Sequence, residues 1–358
     1  MNANKSLLAA LTCLFLLEAG LAGGADVAGH SAEGRHGMVV SVSPEASRIG
    51  RDILQKGGNA VDAAVATAFA LAVAWPEAGN IGGGGFMLVY PAGSKGEPVL
   101  IDYREKAPAA ATRTMFAGAK PPPPVLLAGT PGTVRGLVLA HQRFGKLAWK
   151  ELLVPALRLA DEGFPIDEAL AASLNHVVAH SPDFAELRRV YGKDGGKTRW
   201  QAGDRLRQHD LAKTLRRIAE KGPDGFYKEI VADQIAAEMK RDDGLITKAD
   251  LATYEAKVRQ PIHGTYRGYD VYGPPPPSSG GICLIEMLNI LENFDLRKQG
   301  RYSSETLHLI IETMRRAYRD RARYLGDPDF VKIPAFLTSK DHARKLAQSI
   351  DHHEATLS

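Results

Sequence analysis

Arg104 closes the apolar segment Pro98–Tyr103 and opens the run Glu105-Lys106-Ala107-Pro108. A guanidinium at the end of a strand is well suited to a bidentate clamp on a substrate carboxylate. Taken alone, such a residue is more often half of a structural ion pair, here with Glu105 or Asp102.

Five other groups carry the residue types for chemistry, and each has a plainer reading. Gly192-Lys193-Asp194-Gly195-Gly196-Lys197-Thr198 looks like a phosphate loop, but its outer glycines are one residue too close and no strand precedes it, so it reads as a surface turn. His176 and His180 stand four apart on a predicted helix, as in half of a zinc site, yet Val177 occupies the place of the metalloprotease glutamate and no third ligand accompanies them. Asp351-His352-His353 has the order found in some metal phosphoesterases, but without a second acidic cluster it reads as a solvated helix terminus. Cys283 starts an apolar helix, where the positive end could lower a thiol pKa; with no histidine nearby in sequence, a buried core cysteine is the reading. Ser278 and Ser279 sit between four prolines and two glycines without the strand-serine-helix elbow, so the loop reads as a wall or lid. No metal ion and no organic cofactor is expected.

The elements that must position Arg104 begin with the segment Gly57–Val89. Asn59 can cap a helix, with Asp62 three residues on favourably placed against the orphan N–H groups. From Ala63 to Trp75 no side chain is charged and most are alanine, which predicts a helix buried on all sides and running to Pro76. It is too short to span a membrane. Gly82, Gly83, Gly84 and Gly85 follow, a run that is costly in backbone entropy unless close approach demands it. A phosphate cradle lies after a strand and before a helix, whereas these glycines lie after a helix and before the apolar segment Phe86–Tyr90, which reads as a buried strand.

Elsewhere Met38–Val42 reads as a short strand, and Ser43-Pro44-Glu45 as the start of a helix ending at Gly57-Gly58 with a stripe of Ala46, Ile49, Ile53 and Leu54. Pro121–Pro124 marks a polyproline loop, and Gly129–Gly132 a turn into a helix through Leu139. Helical periodicity dominates from Trp149 to about Arg241. Thr247 with Asp250 forms a capping box, Tyr266–Tyr272 reads as a strand, and helices are expected over Ile282–Leu291 and from Ser303-Ser304 to before Gly326. The 358 residues are 44% hydrophobic with a net charge of +4, enough for a sizeable core. Basic and acidic residues alternate, as in Arg315-Arg316-Ala317-Tyr318-Arg319-Asp320-Arg321, which reads as a solvated helix face and excludes a nucleic-acid stripe. Lys5, the apolar stretch Leu7–Leu17 and the small residues Gly20–Gly24 predict a secretory signal over residues 1–22, followed by one compact domain over 23–358. Cys13 lies in that signal, so the exported chain would keep Cys283 alone and form no internal disulfide.

The segments GGNAVDAAVATAFALAV, IGGGGFMLVY, IDYREKAP, AGTPGTVRGL, GLITKADLATYEAKVRQPIHGTYRGYDVYGPPPPSSGGI, LNILENFDL and YLGDPDFV together resemble the γ-glutamyltransferase family, from about Val39 onward. The resemblance implies an α/β (α+β) fold, the αββα sandwich of an N-terminal nucleophile hydrolase, here its large-subunit part with a helix-rich middle. It implies a precursor that cuts itself, and a nucleophilic threonine that becomes the first residue of the small subunit, with its own α-amine as base. It places the donor-carboxylate clamp on Arg104, and the glycines of Gly82–Gly85 at the tight entry to a central strand beside it. The Thr-Thr-His start of the small subunit is nowhere in the chain, and Thr356 does not match it, so the catalytic threonine is expected downstream of Ser358 and the chain alone is expected to be inactive. Implied partners are the small subunit, glutathione and other γ-glutamyl donors, and acceptor amino acids or peptides; the implied location is periplasmic or extracellular. Two alternatives stay open: an acylase of the same fold acting on a glutaryl or related amide, and a non-catalytic binding subunit.

Overall fold

The structure, a computed structural model, describes residues 31–93, 96–118 and 121–356. The expected signal over 1–22 and Cys13 lie outside the described residues. Contacts gather the chain from Val39 onward into one unit, separate from residues up to Met38.

Helix α1 (Pro44–Gln55) starts as its sequence requires: the Ser43 hydroxyl accepts the Ala46 N–H and Pro44 takes the first turn. Helix α2 (Ala60–Ala74) has a reciprocal capping box, in which Asn59 Oδ1 accepts the N–H groups of Val61 and Asp62 while Asp62 Oδ2 accepts the Asn59 N–H at 2.9 Å. Asp62 is fully buried, and its carboxylate also accepts the N–H groups of Lys146 and Leu147, so the charge is satisfied by backbone donors. The all-round burial expected of α2 holds: Val65, Ala66, Phe69, Ala70 and Val73 are each fully buried, with the Phe69 ring edge-on to Trp149. The expected strand Met38–Val42 does not form. Val40 and Val42 are exposed, and the Ser41 N–H goes to the Ser47 hydroxyl, so a local hydroxyl network replaces the strand ladder that apolar alternation suggested.

Strands β1 (Phe86–Val89) and β2 (Val99–Asp102) follow, then α3 (Thr133–Phe144), α4 (Trp149–Glu162), β3 (Phe164–Pro165), α5 (Glu168–His180), α6 (Ala185–Tyr191), β4 (Arg205–Leu206), α7 (His209–Lys221), α8 (Asp224–Tyr227), α9 (Glu229–Arg241) and α10 (Lys248–Thr253). The helix-rich middle is therefore as expected, apart from the short antiparallel pair β3 and β4. Helix α10 carries the predicted Thr247–Asp250 capping box. Strand β5 (Lys257–Arg259), which the sequence did not suggest, joins β2 to give an antiparallel sheet in the order β1-β2-β5. Leu100, Ile101 and Asp102 of β2 are buried at its centre. The expectation that β1 is the central, buried strand is corrected: it lies at an edge, with Leu88 42% exposed, because only one of its sides has a strand neighbour among the described residues.

The expected strand Tyr266–Tyr272 is instead a hairpin of β6 (Ile262–Tyr266) and β7 (Tyr269–Gly273). Arg267 (φ 49°) and Gly268 (φ 87°) are both left-handed, the backbone that a two-residue hairpin turn needs. Helices α11 (Gly280–Leu291), α12 (Leu296–Gln299), α13 (Ser304–Tyr324) and α14 (Lys340–Gln348) complete the chain, with Ile290, Leu309, Ala343 and Leu346 in a second, smaller core. The solvated face expected on α13 is only half present. Glu312, Arg316 and Asp320, four residues apart, point inward and are buried, while Arg319 and Arg321 stay exposed.

Candidate functional site

The site is built where the glycine turn meets the end of β2. Backbone bonds between Gly85 and Tyr103 extend the β1–β2 ladder to the residue before Arg104. A Cβ on Gly84 would stand 2.5 Å from the Tyr103 carbonyl oxygen and 2.9 Å from the Arg104 Cα, so only glycine lets the two segments touch. Gly83 is held from both sides: its N–H donates to Asn80 Oδ1 at 2.9 Å, and its carbonyl accepts the Gly132 and Thr133 N–H groups at 2.7 and 3.1 Å. The free donors at the start of α3 are thus taken by the glycine turn itself. The Thr133 hydroxyl completes the knot by donating to the same Asn80 oxygen.

Arg104 is fixed through its backbone and free at its side chain. Its N–H donates to Asp102 Oδ1 at 3.0 Å, and its carbonyl accepts the Tyr254 hydroxyl at 2.8 Å. Tyr254 is itself buried and stacked on Tyr227, whose hydroxyl donates to the Pro131 carbonyl. Burial pushes the phenol of Tyr254 upward, with the neighbouring Tyr227 and Asp102 adding to it, and burial pushes Tyr103 up to about 12; both rings stay neutral at ordinary pH, and the Tyr254 hydroxyl serves as a hydrogen-bonding support. Neither suggested ion pair for Arg104 forms. Asp102 is taken by Arg259 of β5, Nε to Oδ2 at 2.6 Å, and the exposed Arg104 guanidinium has no hydrogen-bond or salt-bridge partner among the described residues. A guanidinium with no partner of its own can grip a carboxylate without first breaking a bond.

Among the described residues none of the remaining candidates bonds to Arg104, and of the separate groups only Ser279 and Cys283 are joined, the Cys283 N–H donating to the Ser279 carbonyl at 3.0 Å at the start of α11. Lys193 of the glycine-lysine segment is engaged by Asp204 at 2.6 Å in a short helical turn that follows α6, so the surface-turn reading holds. His176 and His180 stack at 4.1 Å between ring centres, and His180 Nδ1 meets the His176 carbonyl. Asp351 caps the His353 and Glu354 N–H groups on the exposed segment after α14. Cys283 is buried, and burial, then the nearby Glu286, pushes its thiol up, against the activation a helix start could give. Ser279 accepts a bond from Arg321, while Pro275 and Pro276 of the same loop wall an apolar cleft of about 590 Å³ with Ile262, Ile282 and Pro328. Sequence reasoning missed Asn80, Thr133, Tyr254 and Arg259. Only the Asn80 position, just before the glycines, carried a local signal.

Compared with solved structures, the chain is similar to the crystal structure of Helicobacter pylori gamma-glutamyltranspeptidase, with a TM-score of 0.87 and 42% identity over 91% of this chain and 95% of that chain. This α/β arrangement with its helix-rich middle is the large-subunit part of an N-terminal nucleophile hydrolase. The gamma-glutamyltranspeptidase family profile matches residues 46–358. Among curated proteins, the chain is 48% identical to the glutathione hydrolase proenzyme of Escherichia coli (strain K12) over 91% of its length, and 38% identical to the acylase ACY 1 proenzyme of Pseudomonas sp. (strain SE83) over 90%. The chain belongs to the gamma-glutamyltranspeptidase family. It spans 57% of the length of the first of these relatives and 60% of the second.

Proposed function

We propose that this chain is the large-subunit portion of an exported γ-glutamyltransferase that takes the γ-glutamyl group from glutathione or a related donor and passes it to water or to an acceptor amino acid or peptide. Its partner in this reading is the small subunit released from the same precursor by self-cleavage. A threonine at the head of that subunit attacks the γ-carbonyl, its α-amine takes the hydroxyl proton and passes it to the amide nitrogen of the donor, and the C–N bond breaks so that the amine leaves as the acyl-enzyme ester forms. Water or an acceptor amine then breaks the ester and regenerates the threonine. Arg104 grips the α-carboxylate of the γ-glutamyl group, fixing the distance between that anchor and the reacting carbonyl.

The observation that carries the reading is the unpaired Arg104 guanidinium on a backbone pinned by Asp102 and Tyr254. Export rests on the residues 1–22, and no helix among the described residues is long and apolar enough to cross a membrane. The test is Arg104→Met in the complete precursor. Self-cleavage should proceed, while kcat/KM for a γ-glutamyl anilide falls about 100-fold, the loss of about 1.5–3 kcal/mol expected for a charge-assisted bond. An unchanged apparent donor affinity would overturn the clamp.

The likeness to an acylase proenzyme favours a second reading, hydrolysis of a glutaryl or related amide. A glutaryl group has no α-amino acid head, so comparing γ-glutamyl with glutaryl anilides in the wild-type enzyme separates the two. Preference for the glutaryl substrate would favour the acylase.

A further inference from the structure

Three helices of the second core bring acidic and imidazole groups to one buried point. Glu286 on α11, Asp320 on α13 and His342 on α14 offer ligand atoms that all lie within 4.8 Å of one another. His342 Nε2 is 2.7 Å from Asp320 Oδ2 and 3.8 Å from Glu286 Oε1. Among the described residues Arg319 also reaches the group, touching the second Asp320 oxygen at a long 3.4 Å from an exposed position. Glu286 Oε1 is left without a hydrogen-bond partner, on a residue only 1% exposed and facing His342.

Two carboxyl groups this deep, one of them with an unpartnered oxygen, must share either a proton or a cation. We propose that Glu286, Asp320 and His342 form a binding site for a divalent transition-metal cation of the zinc(II) type. One imidazole nitrogen and two carboxylate oxygens are the mixed donor set that such ions accept, whereas calcium and magnesium favour oxygen alone. Binding requires His342 Nε2 to be unprotonated, so the contact it now makes with Asp320 is exchanged for one to the metal and any proton on Nε2 is released. The 21% exposure of the His342 side chain provides the way in, and the Phe336 ring, 4.8 Å away, covers the imidazole on one side. Because the ligands come from three helices, the ion would clamp α14 onto α11 and α13 beside the second core. This site lies outside the segment carrying Arg104 and does not rest on the reading given to that residue.

The experiment uses the complete, tag-free protein, stripped with a chelator and titrated with zinc(II) against a chromophoric competitor and with cobalt(II) by visible absorption. Stoichiometric binding, a cobalt d–d spectrum and a raised thermal midpoint are expected. Glu286→Gln, which keeps the shape of the side chain, and His342→Ala should each weaken binding about tenfold or more. Absence of stoichiometric zinc and cobalt binding to the wild type would show that a proton shared by Glu286 and Asp320 fills the site instead, and would overturn the proposal. Binding that persists unchanged in both variants would overturn it equally. The wild-type cobalt spectrum decides the matter even if a variant fails to fold.

Discussion

Arg259 Nε donates to Asp102 Oδ2 at 2.6 Å, and that bond settles the state of Arg104 two residues further along. Asp102 is one of the two acids that could have neutralised the Arg104 side chain. One of its oxygens is taken by Arg259 and the other by the Arg104 N–H, so it orients the Arg104 backbone and leaves the guanidinium alone. The pair is nearly buried, with side-chain exposures of 17% and 7%. Replacing Arg259 with Met therefore leaves an uncompensated buried carboxylate and should cost about 3–5 kcal/mol in urea unfolding of the complete enzyme. Arg259→Met with Asp102→Asn should recover part of that loss. Equal stabilities for wild type and Arg259→Met would show that the pair holds nothing.

A lysine in place of Arg104 keeps the charge and removes the fork. If the clamp works by two parallel N–H bonds, Arg104→Lys should retain less than about a tenth of the wild-type kcat/KM for a γ-glutamyl donor, with the change mainly in KM. Full activity of the lysine variant would mean that a point charge is enough.

The glycine run makes its own contrast. A methyl on Gly84 meets the Tyr103 carbonyl at 2.5 Å and the Glu105 nitrogen at 2.7 Å, both backbone atoms, whereas a methyl on Gly82 meets nothing within 4 Å. Gly84→Ala should destabilise by about 1–3 kcal/mol through overpacking and shift the end of β2 that bears Arg104. Gly82→Ala should stay within about 0.5 kcal/mol of wild type, the usual range for an exposed site. Thermal unfolding of the two variants side by side tests this, and similar midpoints would refute the close approach.

Local features were readable from the sequence and distant ones were not. The Asn59–Asp62 box and the Ser43 cap are complete within three residues, so their partners were on view. Strand β5 is three residues long and takes its meaning from Asp102, 157 positions before Arg259. No local pattern announces such a pairing. The hairpin turn at Arg267-Gly268 was hidden because arginine rarely adopts the left-handed backbone it takes there. On α13, alternating charge suggested solvent, but Glu312, Arg316 and Asp320 share one face, and what covers it is α11, α14 and the segment after α14. Arg104 itself was distinguished by the resemblance of its surroundings, since an arginine at a strand end is by itself ambiguous.

Glu312 gives the pH dependence a definite sign. It is buried on α13 with its carboxylate bonded to Arg316 Nη1 at 2.6 Å, to the Thr356 N–H at 3.0 Å and to the Thr356 hydroxyl. Burial would raise its pKa, but the bonds from Thr356 and Arg316 outweigh that and hold it at about 2. An unfolded glutamate titrates near about 4.3, so below that value the unfolded chain takes up a proton that the folded one refuses. The stabilisation from Glu312 is therefore complete above about pH 4.3 and is lost as the pH falls toward about 2. Glu312→Gln removes the charge but not the shape, and leaves Arg316 buried without its counter-ion. The urea midpoint of the variant should lie furthest below wild type near about pH 6, and the gap should narrow steadily on acidification. Because protonated glutamate and glutamine present nearly the same group to Arg316 and Thr356, the two curves should approach each other at the acid end. A gap that keeps its width from about pH 6 to about pH 3 would mean that Glu312 holds the end of the described chain by shape and hydrogen bonding, with no contribution from its charge.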